Sequence, residues 1–166
     1  MDQHALSLLV DLPLKQFHGR VTQLFDLSAE NDFFHRFFAH ITHLALLDQS
    51  VAHETLSNLS LLPNLTHLSL DSIFVGASLT LLRKCPFLLV FVLIRTRLNF
   101  PDIDHHPDGG ALAEDPRFVL VVCDLKASLE DWHMGTRSGN DYWSRAEDFV
   151  AKRRSGKVDI SQYRLD

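Results

Sequence analysis

A six-residue pattern that occurs twice, 24 residues apart, constrains the fold of this chain more than any other feature. Residues 41–46 are Ile-Thr-His-Leu-Ala-Leu and residues 65–70 are Leu-Thr-His-Leu-Ser-Leu, so both copies have apolar side chains at their first, fourth and sixth positions. Leucine-rich repeats have periods of about 20–29 residues and contribute one short strand per copy. Since a single copy cannot bury its own apolar side, we expect the copies to stack beside one another.

Weaker copies extend the pattern in both directions. The segment after Ser78 has helical character and stops before Pro86, as helices do, and parallel strands require such crossovers. The sequence therefore predicts an α/β fold, a short leucine-rich-repeat-like solenoid of about five parallel strands over residues 1–126. A C-terminal helical cap over residues 127–166 is expected to close it within the same domain. The five copies begin at Leu14, Ile41, Leu65, Leu88 and Phe118, at intervals of 27, 24, 23 and 30 residues.

Side chains alternate between the two faces of a strand, so the repeats predict columns of side chains across one face of the sheet. The N-terminal half of this face is polar and the C-terminal half is apolar. Because a contiguous apolar patch is rarely left in water, either the chain's own C-terminal segment or a partner covers that half. The predicted columns are Gln16, His43, His67, Val90 and Leu120, then His18, Ala45, Ser69, Val92 and Val122, then Arg20, Leu47, Asp71, Ile94 and Asp124.

The polar side chains of this face are the candidate partner-binding residues. His43 and His67 occupy the same position in neighbouring copies, so they either hold a ligand together or are surface positions that repeat similarity retains. The candidates are His18, His43, His67, Ser69, Asp71 and Asp124.

A second helix is predicted near the C-terminus. Asn140 is expected to cap a helix that runs from Asp141 to about Arg154 and ends at Gly156. Lys152-Arg153-Arg154 at its end suits the helix dipole and is either a solvated helix end or a nuclear-localisation or phosphate-binding segment. One helix face combines Tyr142, Ala146, Phe149, Val150 and Arg153 at 3-4 spacing.

The tail of the chain resembles a known family. Asp131-Trp132-His133-Met134-Gly135 together with residues 141–156 is similar to a tail found in predicted F-box-type proteins of mushroom-forming fungi. In that family the tail follows repeats similar to residues 62–68 and a segment similar to residues 115–119. The resemblance covers roughly residues 12–163, and the tail is its more specific part.

The resemblance implies a function in protein recognition. Members of the family often carry an F-box, a short helical module that docks on the adaptor subunit of a cullin-type ubiquitin ligase, and their repeats are thought to hold the protein to be ubiquitylated. No F-box pattern precedes Pro13 in this sequence. We therefore expect a protein-interaction module, a substrate-holding remnant with an unknown protein partner, that does not dock on the adaptor.

Composition excludes several classes of partner and compartment. The net charge of −5 argues against a general nucleic-acid surface. The longest apolar run, residues 86–94, has half the roughly 20 residues that a membrane-spanning helix needs, and the N-terminus lacks the basic start of a signal peptide. With only two cysteines, Cys85 and Cys123, both predicted to be core thiols, we expect a cytoplasmic or nuclear protein without membrane partners.

Two alternative functions remain open. The loop Asp102–Asp108 offers carboxylates and imidazoles, the usual ligands of zinc, manganese or iron, and with His43 or His67 it could serve a metal-dependent hydrolase. Pro107 and the adjacent glycines predict instead a polar loop that lengthens one repeat. The other alternative function is that of a structural fragment without a specific partner. Since the sequence shows neither a nucleophile–base pattern nor a phosphate-binding loop, we predict no enzymatic activity, no cofactor and no bound metal.

Overall fold

The computed structural model describes residues 12–21, 36–47, 56, 58–71, 75–95, 103, 106–122, 130, 131, 135, 139 and 141–165. Within them the chain has an α/β fold with a six-stranded, all-parallel sheet and three α-helices, which confirms the predicted fold at this level. Two compact units, Met1–Leu88 and Leu89–Asp166, are described separately. In the part of the chain described, no helix combines the length and apolar character needed to cross a bilayer.

In the described residues of the first unit, three parallel strands follow one another in chain order and one α-helix has bounds that can be given. Phe17 lies beside Leu44, and Leu44 beside Leu68, as the repeat predicts. Leu44 and Leu68 are fully buried, because the alternation of the strand sends the apolar position of each copy to the same side. The elements are β1 (Gln16–Gly19), β2 (His43–Leu46), β3 (His67–Leu70), α1 (Val75–Lys84) and two short 3-10 turns (Arg36–Phe38 and Leu59–Leu61).

The same backbone turn leads into the strand of the second and the fourth copy. The N–H of Ile41 donates to the carbonyl of Phe38 at 3.2 Å, and Leu88 donates to Cys85 at 3.2 Å. All four residues are buried, so each turn is held by the core at both ends. Cys85 is a free, buried thiol, as predicted. The helix before it, α1, stops at Lys84 as expected but begins at Val75, ahead of the predicted start.

The part of the second unit that the structure describes also has three parallel strands in chain order. The two-residue strand β6 was not predicted, since a segment this short carries no periodicity. The helix α3 packs against β4 and β5. The elements are β4 (Val90–Arg95), α2 (Gly109–Glu114), β5 (Phe118–Val122), α3 (Tyr142–Arg154) and β6 (Arg164–Leu165).

The predicted pairing of β4 with β5 is wrong by three residues. Leu120 lies beside Leu93 and not beside Val90, and Val122 lies beside Arg95 and not beside Val92. An odd offset exchanges the faces of a strand, so Leu120 and Val122 do not continue the columns that were predicted through Val90 and Val92. The cause is the uninterrupted apolar run of β5, Phe-Val-Leu-Val-Val, whose pattern cannot specify a register.

The chain itself covers the apolar residues at the C-terminal end of the predicted columns. Val90 and Val92 are 2% and 0% exposed in the isolated chain, which confirms self-coverage and excludes the open apolar patch that a partner would have to cover. Ile94 is buried as well, whereas Asp124 lies outside the described residues.

A helix replaces part of the predicted polar loop. Gly109 and Gly110 were expected in a turn but begin α2. A Cβ atom on Gly109 would lie 1.7 Å from the carbonyl oxygen of Ile103, so the glycine is required for close backbone approach. Asp102, Asp104 and His105 lie outside the described residues.

Both ends of α3 are capped by local hydrogen bonds. The N-cap is Asp141 and not the predicted Asn140, because the Oδ1 atom of Asp141 accepts the backbone N–H of Ser144 at 2.9 Å. At the other end Gly156 has a φ of +72°, and the N–H of Lys157 donates to the carbonyl of Lys152 at 2.9 Å. This is a Schellman motif, which ends helices at a left-handed glycine, so the predicted stop at Gly156 is confirmed.

Candidate partner-binding face and the Arg153 cluster

Each Thr-His pair is fixed to the preceding strand by the same three hydrogen bonds, an arrangement we call the Thr-His clasp. In the first clasp, the carbonyl oxygen of Lys15 accepts the N–H groups of Thr42 and His43 at 2.8 and 3.0 Å. The hydroxyl of Thr42 donates to the same oxygen at 3.0 Å. In the second clasp, the carbonyl oxygen of Thr42 accepts the N–H groups of Thr66 and His67 at 3.0 and 2.9 Å and the hydroxyl of Thr66 at 3.2 Å. The sequence repeat is therefore a repeat of hydrogen bonding.

The clasp also engages the imidazole ring of each histidine. The hydroxyl of Thr42 lies 2.9 Å from Nδ1 of His43, and that of Thr66 lies 2.8 Å from Nδ1 of His67. A hydroxyl has one hydrogen, and in both clasps it is already donated to a carbonyl. With the hydroxyl hydrogen on the carbonyl, each imidazole donates its Nδ1–H to the threonine, and the acceptor lone pair of the neutral ring is on Nε2.

The two clasped imidazoles stack on each other. The ring centroids of His43 and His67 are 4.0 Å apart and the planes differ by 1°. Imidazole nitrogens are common ligands of transition metals, and the nitrogen lone pairs of these two rings lie in parallel planes. An ion shared by both rings in this arrangement would lie outside the plane of at least one ring, so the arrangement observed is a stacked polar pair.

The predicted candidates other than Asp124 lie in the first unit, on one face, and differ in exposure. Gln16, His43 and His67 are in register, as are His18, Ala45 and Ser69, which confirms the N-terminal half of two columns. His67 and Ser69 are buried, at 4% and 1% exposure. His43 is half-buried, so access to this face decreases from β1 to β3.

The third predicted column lies just beyond the strands. The N–H of Leu47 donates to the carbonyl of Gly19 at 3.0 Å, and that of Asp71 donates to Leu46 at 3.2 Å, so the ladder continues past each strand end. Arg20 is exposed, and Leu47 and Asp71 are half-buried. This end of the face therefore carries charges of both signs.

Arg153 is a charged side chain buried in the second unit, at 3% exposure. Its Nη1 atom donates to the carbonyls of Asp115 at 3.1 Å and Phe118 at 2.7 Å, and Nη2 donates to those of Ala113 and Ile160. These oxygens belong to the end of α2, the start of β5 and the segment before β6. We call this set the Arg153 cluster, and it ties three segments of the second unit to α3.

The interpretation of Lys152-Arg153-Arg154 as a solvated or nuclear-localisation segment is wrong for its central residue, Arg153. Arg153 is buried and engaged, while its two neighbours are exposed. The helical spacing that put Arg153 on the apolar face was the correct signal, since that face is buried at Tyr142, Ala146 and Val150 as well. What the spacing could not reveal is that four backbone carbonyls meet there.

A carboxylate borders the Arg153 cluster. Asp115 accepts two hydrogen bonds from the guanidinium of Arg117, at 3.0 and 2.7 Å, and one from its backbone N–H at 2.9 Å. Partial burial alone raises the pKa of Asp115, but the bonds and charge of Arg117, with the charge of Arg153, hold that pKa below its ordinary value. Burial lowers the pKa of Arg153, and the charge of Asp115 offsets part of this effect.

Described residues of the tail support α3. Oδ2 of Asp131 accepts the N–H of Tyr142 at 2.6 Å, and Oδ1 accepts Nη1 of Arg145 at 2.9 Å. A Cβ atom on Gly135 would lie 2.1 Å from Cβ of Asp141. The chemistry of these residues is thus used in helix capping and close packing.

The described part of the predicted metal loop makes a local turn. Nδ1 of His106 accepts the backbone N–H of Asp108 at 3.1 Å, so that nitrogen serves the turn.

No protein-family model, curated protein or solved structure matches the chain.

Proposed function

We propose that this chain is a non-enzymatic protein-interaction module with leucine-rich-repeat-like organisation, which holds a protein partner as the substrate-binding part of an F-box-type receptor does. The single observation that carries this proposal is the Thr-His clasp, which occurs twice with the same bonds. A clasp that orders side chains into a column is a scaffold for recognition, because repeat arrays bind partners through such columns.

The accessible side chains of the first unit define the proposed contact surface. Gln16 and Arg20 are exposed, and His43 and Asp71 are half-buried. His67 lies beneath this surface and holds His43 in place by stacking. Pre-organised side chains lose little conformational entropy on binding, so a small face of this kind can contribute to specific recognition.

The chemistry of the chain supports a binding role over catalysis. The carboxylate Asp115, whose pKa is lowered, is engaged by Arg117 and borders a structural cluster, and the paired imidazoles are parallel rather than convergent. We place the interaction in the cytoplasm or nucleus, on the strength of the sparse cysteines. The proposal does not include docking on a ligase adaptor.

A quantitative pull-down with a matched pair of variants tests the proposal. His43→Glu places a charge on the contact surface, whereas His40→Glu makes the same change at an exposed position in the turn before β2. We expect the wild type and His40→Glu to enrich the same protein from the source cell and His43→Glu to lose it. Gln16→Arg, at an exposed position of the same column, should also weaken capture without altering thermal stability.

The proposal fails if no protein is enriched by the wild type, or if His43→Glu and Gln16→Arg retain the enriched protein at wild-type levels. A melting temperature measured for every variant separates loss of contact from loss of folding.

A further inference from the structure

The outer edge of β5 is occupied by a very short strand from the C-terminal segment. β6 has two residues, and its register places Arg164 beside Leu120 and Leu165 beside Val121. The N–H of Leu120 donates to the carbonyl of Tyr163 at 2.7 Å. Of the five residues of β5, two therefore have a partner residue in β6.

The strand under this cover is suited to pairing with another chain. β5 consists of five apolar residues without charge, proline or glycine. Sheet edges of this composition are templates for strand addition, and native proteins protect them with short, charged or covering segments. β6 has the properties of such a protection, since it is short and carries the exposed side chain of Arg164.

Two contacts outside the strand pair hold the covering segment. The carbonyl of Ile160 accepts a hydrogen bond from Arg153. The ring of Tyr163, 6% exposed, stacks on Phe118 with centroids 5.7 Å apart. Tyr163 therefore joins the segment to β5 through both its carbonyl and its ring.

We propose that residues 157–165 form a strap over the edge of β5, and that this edge, once the strap is displaced, binds the β5 edge of a second copy of the chain. A second copy is the favoured occupant, because β5 is uniformly apolar. When two copies meet, each β5 edge faces an uncharged strand of the same composition. The strap thereby sets whether the second unit self-associates.

Full-length variants test this proposal. Tyr163→Asp places a carboxylate against Phe118 and should release the strap, whereas Gln162→Asp makes the same charge change at an exposed neighbouring position. Light scattering coupled to size-exclusion chromatography should show concentration-dependent dimers or larger species for Tyr163→Asp, and monomer for the wild type and Gln162→Asp. At concentrations low enough for Tyr163→Asp to be monomeric, hydrogen exchange should accelerate at the amide of Leu120 while the amides of α3 remain protected.

Addition of Val122→Glu, which places a charge at the half-buried end of β5, should return Tyr163→Asp to the monomer. Association that survives Val122→Glu overturns the proposal, since it would then use another surface. A Tyr163→Asp protein that stays monomeric although the amide of Leu120 exchanges quickly overturns it as well. If Tyr163→Asp also exposes the amides of α3, Tyr163→Ser replaces it, because this variant removes the ring without adding a charge. The same two measurements, oligomeric state and exchange of the Leu120 amide, then decide the proposal.

Discussion

Replacement of Arg153 by methionine removes the guanidinium and keeps most of the apolar stem. Four backbone carbonyls then lose a charged donor, although that of Asp115 still accepts the N–H of Phe118 at 3.1 Å. A buried polar group left without its partner costs about 1–3 kcal/mol. The substitution also removes the desolvation cost of the buried charge, which offsets part of this loss. The same desolvation lowers the pKa of Arg153. We therefore expect a net loss of about 3–5 kcal/mol in the free energy of unfolding.

Urea unfolding followed by circular dichroism and tryptophan fluorescence measures this loss. Arg154→Met is the matched control, because Arg154 is exposed and its Nη2 atom makes a long hydrogen bond of 3.3 Å to the carbonyl of Leu89. The control should change stability by no more than about 0.5 kcal/mol. Equal effects of the two substitutions would refute the reasoning, since they would show that the Arg153 cluster contributes nothing beyond a surface arginine.

Three further predictions concern the core, a carboxylate and a helix end. Leu68→Ala should lower the unfolding free energy by about 2–5 kcal/mol, because Leu68 is 0% exposed, while Leu61→Ala at 44% exposure should stay near wild type. Since the folded-state pKa of Asp115 is lowered, its contribution is complete above its ordinary pKa of about 4 and disappears as the pH falls through the lower folded value. The stability difference between wild type and Asp115→Asn should thus shrink in acid-unfolding curves below about pH 4, and a constant difference would contradict the bonding with Arg117. Gly156→Ala, at φ +72°, should cost about 1 kcal/mol in urea unfolding, and an unchanged midpoint would mean that the helix end has relaxed.

The two units differ in how their strands are specified. In the first unit a polar Thr-His pair precedes each inward leucine of β2 and β3, and the clasp bonds accept one register only. In the second unit β5 has no polar residue. Two tertiary contacts of Phe118 accompany the register of β5 against β4. The ring centroid of Phe118 lies 5.9 Å from that of Phe91, and the carbonyl of Phe118 accepts a hydrogen bond from Arg153.

The sequence by itself determined the parallel α/β character, the pairing of β1, β2 and β3, the buried thiol of Cys85 and the helix that ends at Gly156. These features depend on local signals: apolar alternation, a repeated polar pair, and residues that stop helices. The periodicity of the C-terminal helix also placed Arg153 on its buried face, since helical spacing is a property of the chain alone.

Only the tertiary structure decided the register of β5, the existence of β6 and the exposure of the candidate face. A uniformly apolar strand has no alternation that distinguishes one pairing from another, and a two-residue strand forms only where an open edge is available. The burial of His67 and Ser69, and the meeting of four carbonyls at Arg153, depend on segments far apart in the chain. No local pattern records such distances, because the free energy that fixes them arises only when the segments pack together.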